Sequence, residues 1–211
     1  MDLAISTYQK LGATVEFVSM KEELLKAVLP VYTIIANSEA TSNHACLDGI
    51  NYGVREANES ADGVMIATRT AGFGAHIKRR FVLGNLALAT ENQEKMFRKA
   101  QRVRRLIVEE LNSIYANYDL ILTPTSNDGA TPLENASDDR LSSQYVILEN
   151  NLVLGNFAGT PSLSLPYGFT NNMPININIM GRLFEEQTVL NAAYALESEL
   201  SFKNQYSGGD K

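Results

Sequence analysis

Tryptophan is absent from this 211-residue chain, cysteine occurs once, at Cys46, and histidine only twice, at His44 and His76. A single cysteine closes no internal disulfide, so an apolar core has to hold the fold, and a reducing, cytoplasmic setting is expected. Two histidines and one cysteine cannot build a metal site from His and Cys alone. No apolar run is long enough to span a bilayer, which excludes a helical membrane anchor within these residues. The first residues have Asp2 where a signal peptide carries basic residues, so no secretory leader is expected. The familiar cofactor and nucleophile motifs are also missing: there is no Walker loop, G-x-G-x-x-G, G-x-S-x-G, C-x-x-C or H-E-x-x-H. No cofactor is expected in this chain.

What is present is a globular composition, 45% hydrophobic and 20% charged, sized for one domain or part of one. A formal net charge of -6 argues against general nucleic-acid or membrane-surface binding. Period-2 and period-3.6 patterns alternate along the chain, which predicts the α/β class. Helices are expected over 2–11, 21–28, 31–47, 73–89, 91–116, 142–154 and 185–200, with a short one at 63–68. Pro30 should open a new helix, the position that tolerates a missing N–H. Strands are expected at 13–20 (Val15 and Phe17 on one face), at 118–126 as a buried parallel strand, near 162–166, and over "MPININIMG". In that last strand Ile175, Ile177 and Ile179 share one face and the asparagines the other. Residues 127–140 read as loop and 204–211 as a frayed tail.

Two basic segments carry the candidate chemistry. In "KMFRKAQRVRRLIVEEL", Arg98, Arg102 and Arg105 recur at helical spacing, either as a phosphate-binding face or as a solvated face paired with Glu94, Glu109 and Glu110. The acidic total favours the second reading. In "GFGAHIKRRFVLGNLALA", residues 72–89, three cations stand in a row: Lys78, Arg79 and Arg80. At 100° per residue Phe73, Ile77, Phe81, Gly84 and Leu88 form one stripe, and Arg80 falls inside it. Arg80 is therefore expected to point inward, as an internal ion pair or as a fixed fork for a carboxylate ligand. Glu149, framed by Tyr145, Leu148 and Leu152, has the same character. The two either pair with each other or hold opposite ends of an amino-acid zwitterion. His44 and His76 read as structural or surface residues, Cys46 as a small buried helix residue, and "GFG" as a turn that caps the following helix.

Five stretches in order carry a family resemblance: "YTIIANSEATSNHACLDGINYGVR" (32–55), "GFGAHIKRRFVLGNLALA" (72–89), "KAQRVRRLIVEELN" (99–112), "YDLILTPTS" (118–126) and "NFAGTPSLSLPYGF" to "INIMGRLFEE" (156–186). Together they resemble the C-terminal part of the A subunits of bacterial glutamyl-tRNA(Gln)/aspartyl-tRNA(Asn) amidotransferases, which are amidase-signature enzymes. The resemblance implies a mixed β-sheet between helical layers, with residues 1–211 forming the C-terminal portion of one such domain. It also implies a lysine, a bridging serine in a cis peptide and a nucleophilic serine, all from the N-terminal half of the family. These 211 residues contain no Gly/Ser-rich signature stretch, so none of the three is carried over. The chain alone is expected to be inactive: a fragment, a split gene product or a degenerate paralogue. Carried over as substrate contacts are Arg80, Tyr32 and Glu149. Glu149 lies seven residues before Asn156, where the family has aspartate.

The implied reaction is hydrolysis of the glutamine side-chain amide, with the ammonia passed to a second subunit. That second protein uses ATP and magnesium and makes most of the tRNA contacts. The implied partners are the missing N-terminal half, the B and C subunits of the amidotransferase, and glutamine. A non-catalytic binding or assembly module, and another amide hydrolase of the same superfamily, are the alternative readings.

Overall fold

A computed structural model describes residues 1–125 and 150–200. Along the chain run α1 (Asp2–Lys10), α2 (Glu22–Asn43), a 3-10 turn (His44–Cys46), α3 (Ala61–Gly72), α4 (Ala75–Leu88), α5 (Thr90–Gln93), a π-helical turn (Glu94–Arg98) and α6 (Lys99–Tyr115). Then come β1 (Leu120–Pro124), α7 (Asn150–Ala158), β2 (Ser162–Thr170), β3 (Met173–Gly181) and α8 (Glu186–Leu200). They fall into two compact units. One contains the sheet and comprises residues 1–28, 104–125 and 150–200 of the described chain; the other is helical and comprises residues 29–103.

The sheet unit is organised by the alternation in β3. This strand lies between β1 and β2 and pairs antiparallel with both. Ile177 and Ile179, both 0% exposed, join Leu165 and Tyr167 on one face, under Ala4 and Tyr8 of α1 and Val189, Ala193 and Leu196 of α8. The Tyr8 hydroxyl donates to the Ala192 carbonyl at 2.9 Å, and burial pushes its pKa up to about 12. On the opposite face Asn178 is buried between both neighbouring strands. Its Oδ1 accepts from Ser162 Oγ at 2.6 Å, and its Nδ2 faces Thr123 Oγ1 at 3.4 Å. Asn171 and Asn172 close the β2–β3 hairpin at φ 49° and 60°, the two left-handed positions of a two-residue type I′ turn. Arg104 of α6 donates Nε and Nη2 to the Phe157 carbonyl at 3.2 and 2.9 Å, placing a cation at the C-terminal end of α7.

Helices and strands combine as the α/β reading expected, with four departures. Residues 13–20 form no strand: Phe17 is 89% exposed, and the segment has no ladder partner, without which alternation alone makes no strand. Pro30 opens no new helix, because α2 runs through it from Glu22 to Asn43; a proline there removes a single intrahelical donor. Strand β1 is antiparallel rather than parallel, its apolar character coming from a position beside a buried central strand. The helix expected at 63–68 is the longer α3, started by Ser60, whose hydroxyl accepts from Gly63 N at 3.0 Å.

In the helical unit α4 rests on α2 at Gly84. A Cβ there would stand 2.2 Å from the Asn37 carbonyl oxygen and 2.1 Å from Thr41 Oγ1, so only glycine permits this approach. After the 3-10 turn, Asp48 folds the chain back. Its Oδ1 accepts from the N–H groups of Ile50 and Asn51, each at 2.8 Å, and its Oδ2 accepts from Asn51 Nδ2 at 2.9 Å. The Asn51 and then the Ile50 backbone N–H hold the Asp48 pKa down at about 2, from 3.8. A carboxylate depressed on folding contributes fully above its unfolded value and loses that contribution as pH falls through the folded one. The amide resonances of Ile50 and Asn51 should therefore titrate with a midpoint near 2 in an NMR pH series. A midpoint at the ordinary carboxylate value would mean that the turn does not form.

Candidate functional site

The helical unit does turn an arginine inward, but it is Arg69. Located in the last turn of α3, Arg69 donates Nη1 to the carbonyls of His44 at 2.7 Å and Leu47 at 3.0 Å. These carbonyls stand just past the C-terminal end of α2, where a cation also meets the helix dipole. The same guanidinium lies 5.0 Å from the ring centre of Phe73 and 5.2 Å from that of Phe81. The two rings meet edge to face at 4.9 Å. His44 completes the cluster, 5.7 Å from Phe81, with Nδ1 hydrogen-bonded to the Ala40 carbonyl at 2.8 Å. His44 is thus structural, as expected. Cys46 is exposed rather than buried, because it sits in the 3-10 turn beyond the packed helix.

Arg80 follows from this arrangement. The buried positions of α4 are Phe81, Gly84 and Ala87, with Ile77 and Leu88 half-buried. Four residues before Gly84 and seven before Ala87, Arg80 does lie on that arc. It is nonetheless exposed, and among the described residues its guanidinium has no hydrogen bond or ion pair. The expectation of a buried Arg80 is therefore corrected. Helical angle gives a direction but no cover, and the contacts of α2 with α4 at Gly84 and Phe81 leave Arg80 exposed. Lys78, off the stripe as expected, donates to the Thr70 carbonyl at 2.6 Å.

Tyr32 is half-buried on α2. It lies nine residues before Thr41, about 180° around the helix from the face that meets α4. The α2–α4 contact therefore does not bring Tyr32 to Arg80. Glu149, and with it the Arg80–Glu149 pairing, lies outside the described residues.

The basic face of α6 is the solvated one. Glu94 accepts from Arg102 at 2.7 Å and lies 3.7 Å from Arg98, while Arg105 pairs with Glu109 at 2.8 Å. Glu110 instead binds Lys21 at 3.0 Å, across a shallow groove of about 300 Å³ whose lining includes Leu24, Leu106 and Ser113. Arg98, Arg102 and Arg105 thus each face a carboxylate. Among the described residues no His, Cys, Asp and Glu cluster could hold a metal, and no helix is long and apolar enough to cross a membrane.

The Arg69 cluster is not readable from the sequence because its parts, His44, Leu47, Arg69, Phe73 and Phe81, come from three segments with unrelated periodicities. The one available signal is a basic residue in the last turn of a helix ahead of a second aromatic-bearing helix.

A family model described as Amidase matches residues 1–190. The A subunit of glutamyl-tRNA(Gln) amidotransferase from Enterococcus faecalis is 40% identical over 94% of this chain and 40% of its own length. The protein of the same name from Methanosarcina mazei is 39% identical over 94% of this chain and 41% of its own length. The crystal structure of the Thermotoga maritima glutamyl-tRNA(Gln) amidotransferase A subunit superposes with a TM-score of 0.67 at 31% identity, covering 95% of this chain and 38% of that one. This chain therefore spans about two fifths of the length of these relatives. With the family model matched across most of the sequence and the fold of a solved relative reproduced, the chain belongs to the amidase-signature family.

Proposed function

We propose that this chain serves in the glutamine-hydrolysing, ammonia-donating A subunit of a cytoplasmic tRNA-dependent amidotransferase that converts Glu-tRNA(Gln) to Gln-tRNA(Gln). The observation that carries this reading is the 40% identity to one such protein over 94% of the chain. In that assignment residues 1–211 form the C-terminal portion of one amidase-signature domain. Arg80 supplies a planar fork for the glutamine α-carboxylate, and Glu149 faces the α-ammonium. Tyr32 lines the same site in the assembled enzyme. The exposed, unpaired state of Arg80 supports a ligand role over an internal salt bridge among the described residues.

The reaction consumes glutamine and water and releases glutamate and ammonia. The serine nucleophile and the lysine that relays its proton come from outside these residues. What this chain contributes is orientation, which raises the rate of a nucleophile without replacing it. The B and C subunits are the partners in this reading. ATP, magnesium and most of the tRNA contacts belong to the partner that receives the ammonia.

The purified 211-residue chain should then show no glutaminase activity, while the amidotransferase complex that contains it should. Within the complex Arg80→Ala should lower kcat/KM for glutamine by about 10- to 100-fold, the worth of a charge-assisted hydrogen-bond pair. Arg79→Ala should change it by less than about threefold, within the range of surface substitutions. Steady-state ammonia release measures all of these. Glutamine hydrolysis by the isolated chain, or equal effects of the two arginines, would overturn the assignment.

A further inference from the structure

We infer that Arg69 is a positioning residue for Arg80, setting the rotation of α4 and so the direction in which the Arg80 guanidinium is presented. The inference rests on the reading of Arg80 as the glutamine-carboxylate fork.

A helix is fixed about its own axis by the side chains that key into its neighbours. Gly84 brings α4 close to α2 but has no side chain to act as a key. The Phe81 carbonyl, 3.4 Å from Thr41 Oγ1, adds a weak backbone contact. Ala87 is also buried but offers only a methyl group; the largest buried side chain on α4 is the Phe81 ring, one residue on from Arg80 and 9% exposed. Its seat consists of Phe73 at 4.9 Å, His44 at 5.7 Å and the Arg69 guanidinium at 5.2 Å. Arg69 in turn is fixed by the His44 and Leu47 carbonyls. One planar cation therefore joins the end of α2, the end of α3 and the middle of α4. Lysine lacks both the flat face that lies against two rings and the directed N–H geometry that spans two carbonyls. Remove the guanidinium, and Phe81 loses one wall of its seat while two backbone carbonyls lose a donor. Each 10° of rotation of α4 then swings the end of an arginine side chain by about 1 Å, enough to spoil a two-pronged carboxylate contact.

The test is steady-state glutaminase kinetics of the complex that contains this chain, in the variants R80A, R69A, R69K and R69A/R80A, each alongside its thermal midpoint. R69A should raise the glutamine KM by about tenfold with kcat within about twofold, R69K should not rescue it, and R69A on the R80A background should raise KM no further. Where R69A does not fold, Phe81→Leu, which keeps the bulk and removes the ring, should move KM in the same direction by a smaller factor and show the same lack of further effect with R80A. KM effects that multiply in the double variant, or an R69A variant with a lowered thermal midpoint and an unchanged KM, would overturn the positioning role alone. An R80A enzyme with the wild-type KM would overturn the reading of Arg80, and the proposal with it.

Discussion

Replacing Gly84 with alanine should lower the stability of the helical unit despite alanine's higher helix propensity. Two terms oppose each other. In a helix interior alanine is favoured over glycine by about 1 kcal/mol. Against this, the new Cβ meets the Asn37 carbonyl oxygen at 2.2 Å and its carbon at 2.7 Å. These are backbone atoms of α2, which no rotamer change can clear, so α4 and α2 must separate along the contact. Overpacking of this kind costs about 1–3 kcal/mol, and here it falls at the top of that range because the obstacle is main chain. The net loss should be about 1–2 kcal/mol, a thermal midpoint lower by about 2–8 °C in a chain of this size. Gly84→Val should be worse, since it enlarges the clash and forfeits the propensity gain. Gly72→Ala is the control: nothing lies within 4 Å of a Cβ at the end of α3, and its midpoint should stay close to that of the parent. Hydrogen exchange should place the Gly84→Ala loss in residues 29–103. An unchanged midpoint would mean that α2 and α4 do not approach this closely.

The parts of the fold legible in sequence are those in which one periodicity meets one partner. Helices α1, α4 and α8 appear almost residue for residue, as does β3 with its isoleucines inward. The helical run from 91 onward is real, although a π-helical turn at Glu94–Arg98 interrupts its hydrogen bonding without breaking the rod. What periodicity does not encode is pairing. Residues 13–20 alternate as well as β3 does, yet lack a neighbour. The Asn171–Asn172 hairpin is set by two left-handed residues whose signal is local and short. Pro30 shows the opposite limit, since a single missing donor does not outweigh the burial of Val28, Val31 and Ile35 on the continuous helix.

The candidate site is legible in direction and not in depth. The stripe on α4 holds at Ile77, Phe81 and Gly84, and Arg80 lies on its arc. Whether a residue on an arc is covered depends on where the neighbouring helix crosses, which is a tertiary fact. The inward cation, Arg69, cannot be told from any other basic residue near a helix end, because its partners are backbone carbonyls, and these leave no trace in residue identity. Tyr32 and Arg80 come together from resemblance alone, since Tyr32 lies about 180° around α2 from the face that meets α4.

Truncating Ile179 to alanine should be the most damaging single change in the sheet unit. This side chain is 0% exposed and sits in the central strand, opposite Leu122 of β1 and Leu163 of β2. Above it lie the buried side chains of α1 and α8. A strand bonded on both sides cannot move in to fill the space, so the cavity term adds to the lost transfer energy. The expected cost is about 2–5 kcal/mol, a large part of the roughly 5–15 kcal/mol that holds an ordinary domain folded. Ile179→Val should cost only about 0.5–1.5 kcal/mol. Tyr194→Ala, which removes a larger side chain that is 72% exposed, should cost under about 0.5 kcal/mol. With no tryptophan in the chain, tyrosine fluorescence from Tyr8 and Tyr167, both in this core, can follow urea unfolding. The ordering Ile179→Ala, then Ile179→Val, then Tyr194→Ala separates burial from size. If Tyr194→Ala proved the costliest of the three, the isoleucine face of β3 would not be the core.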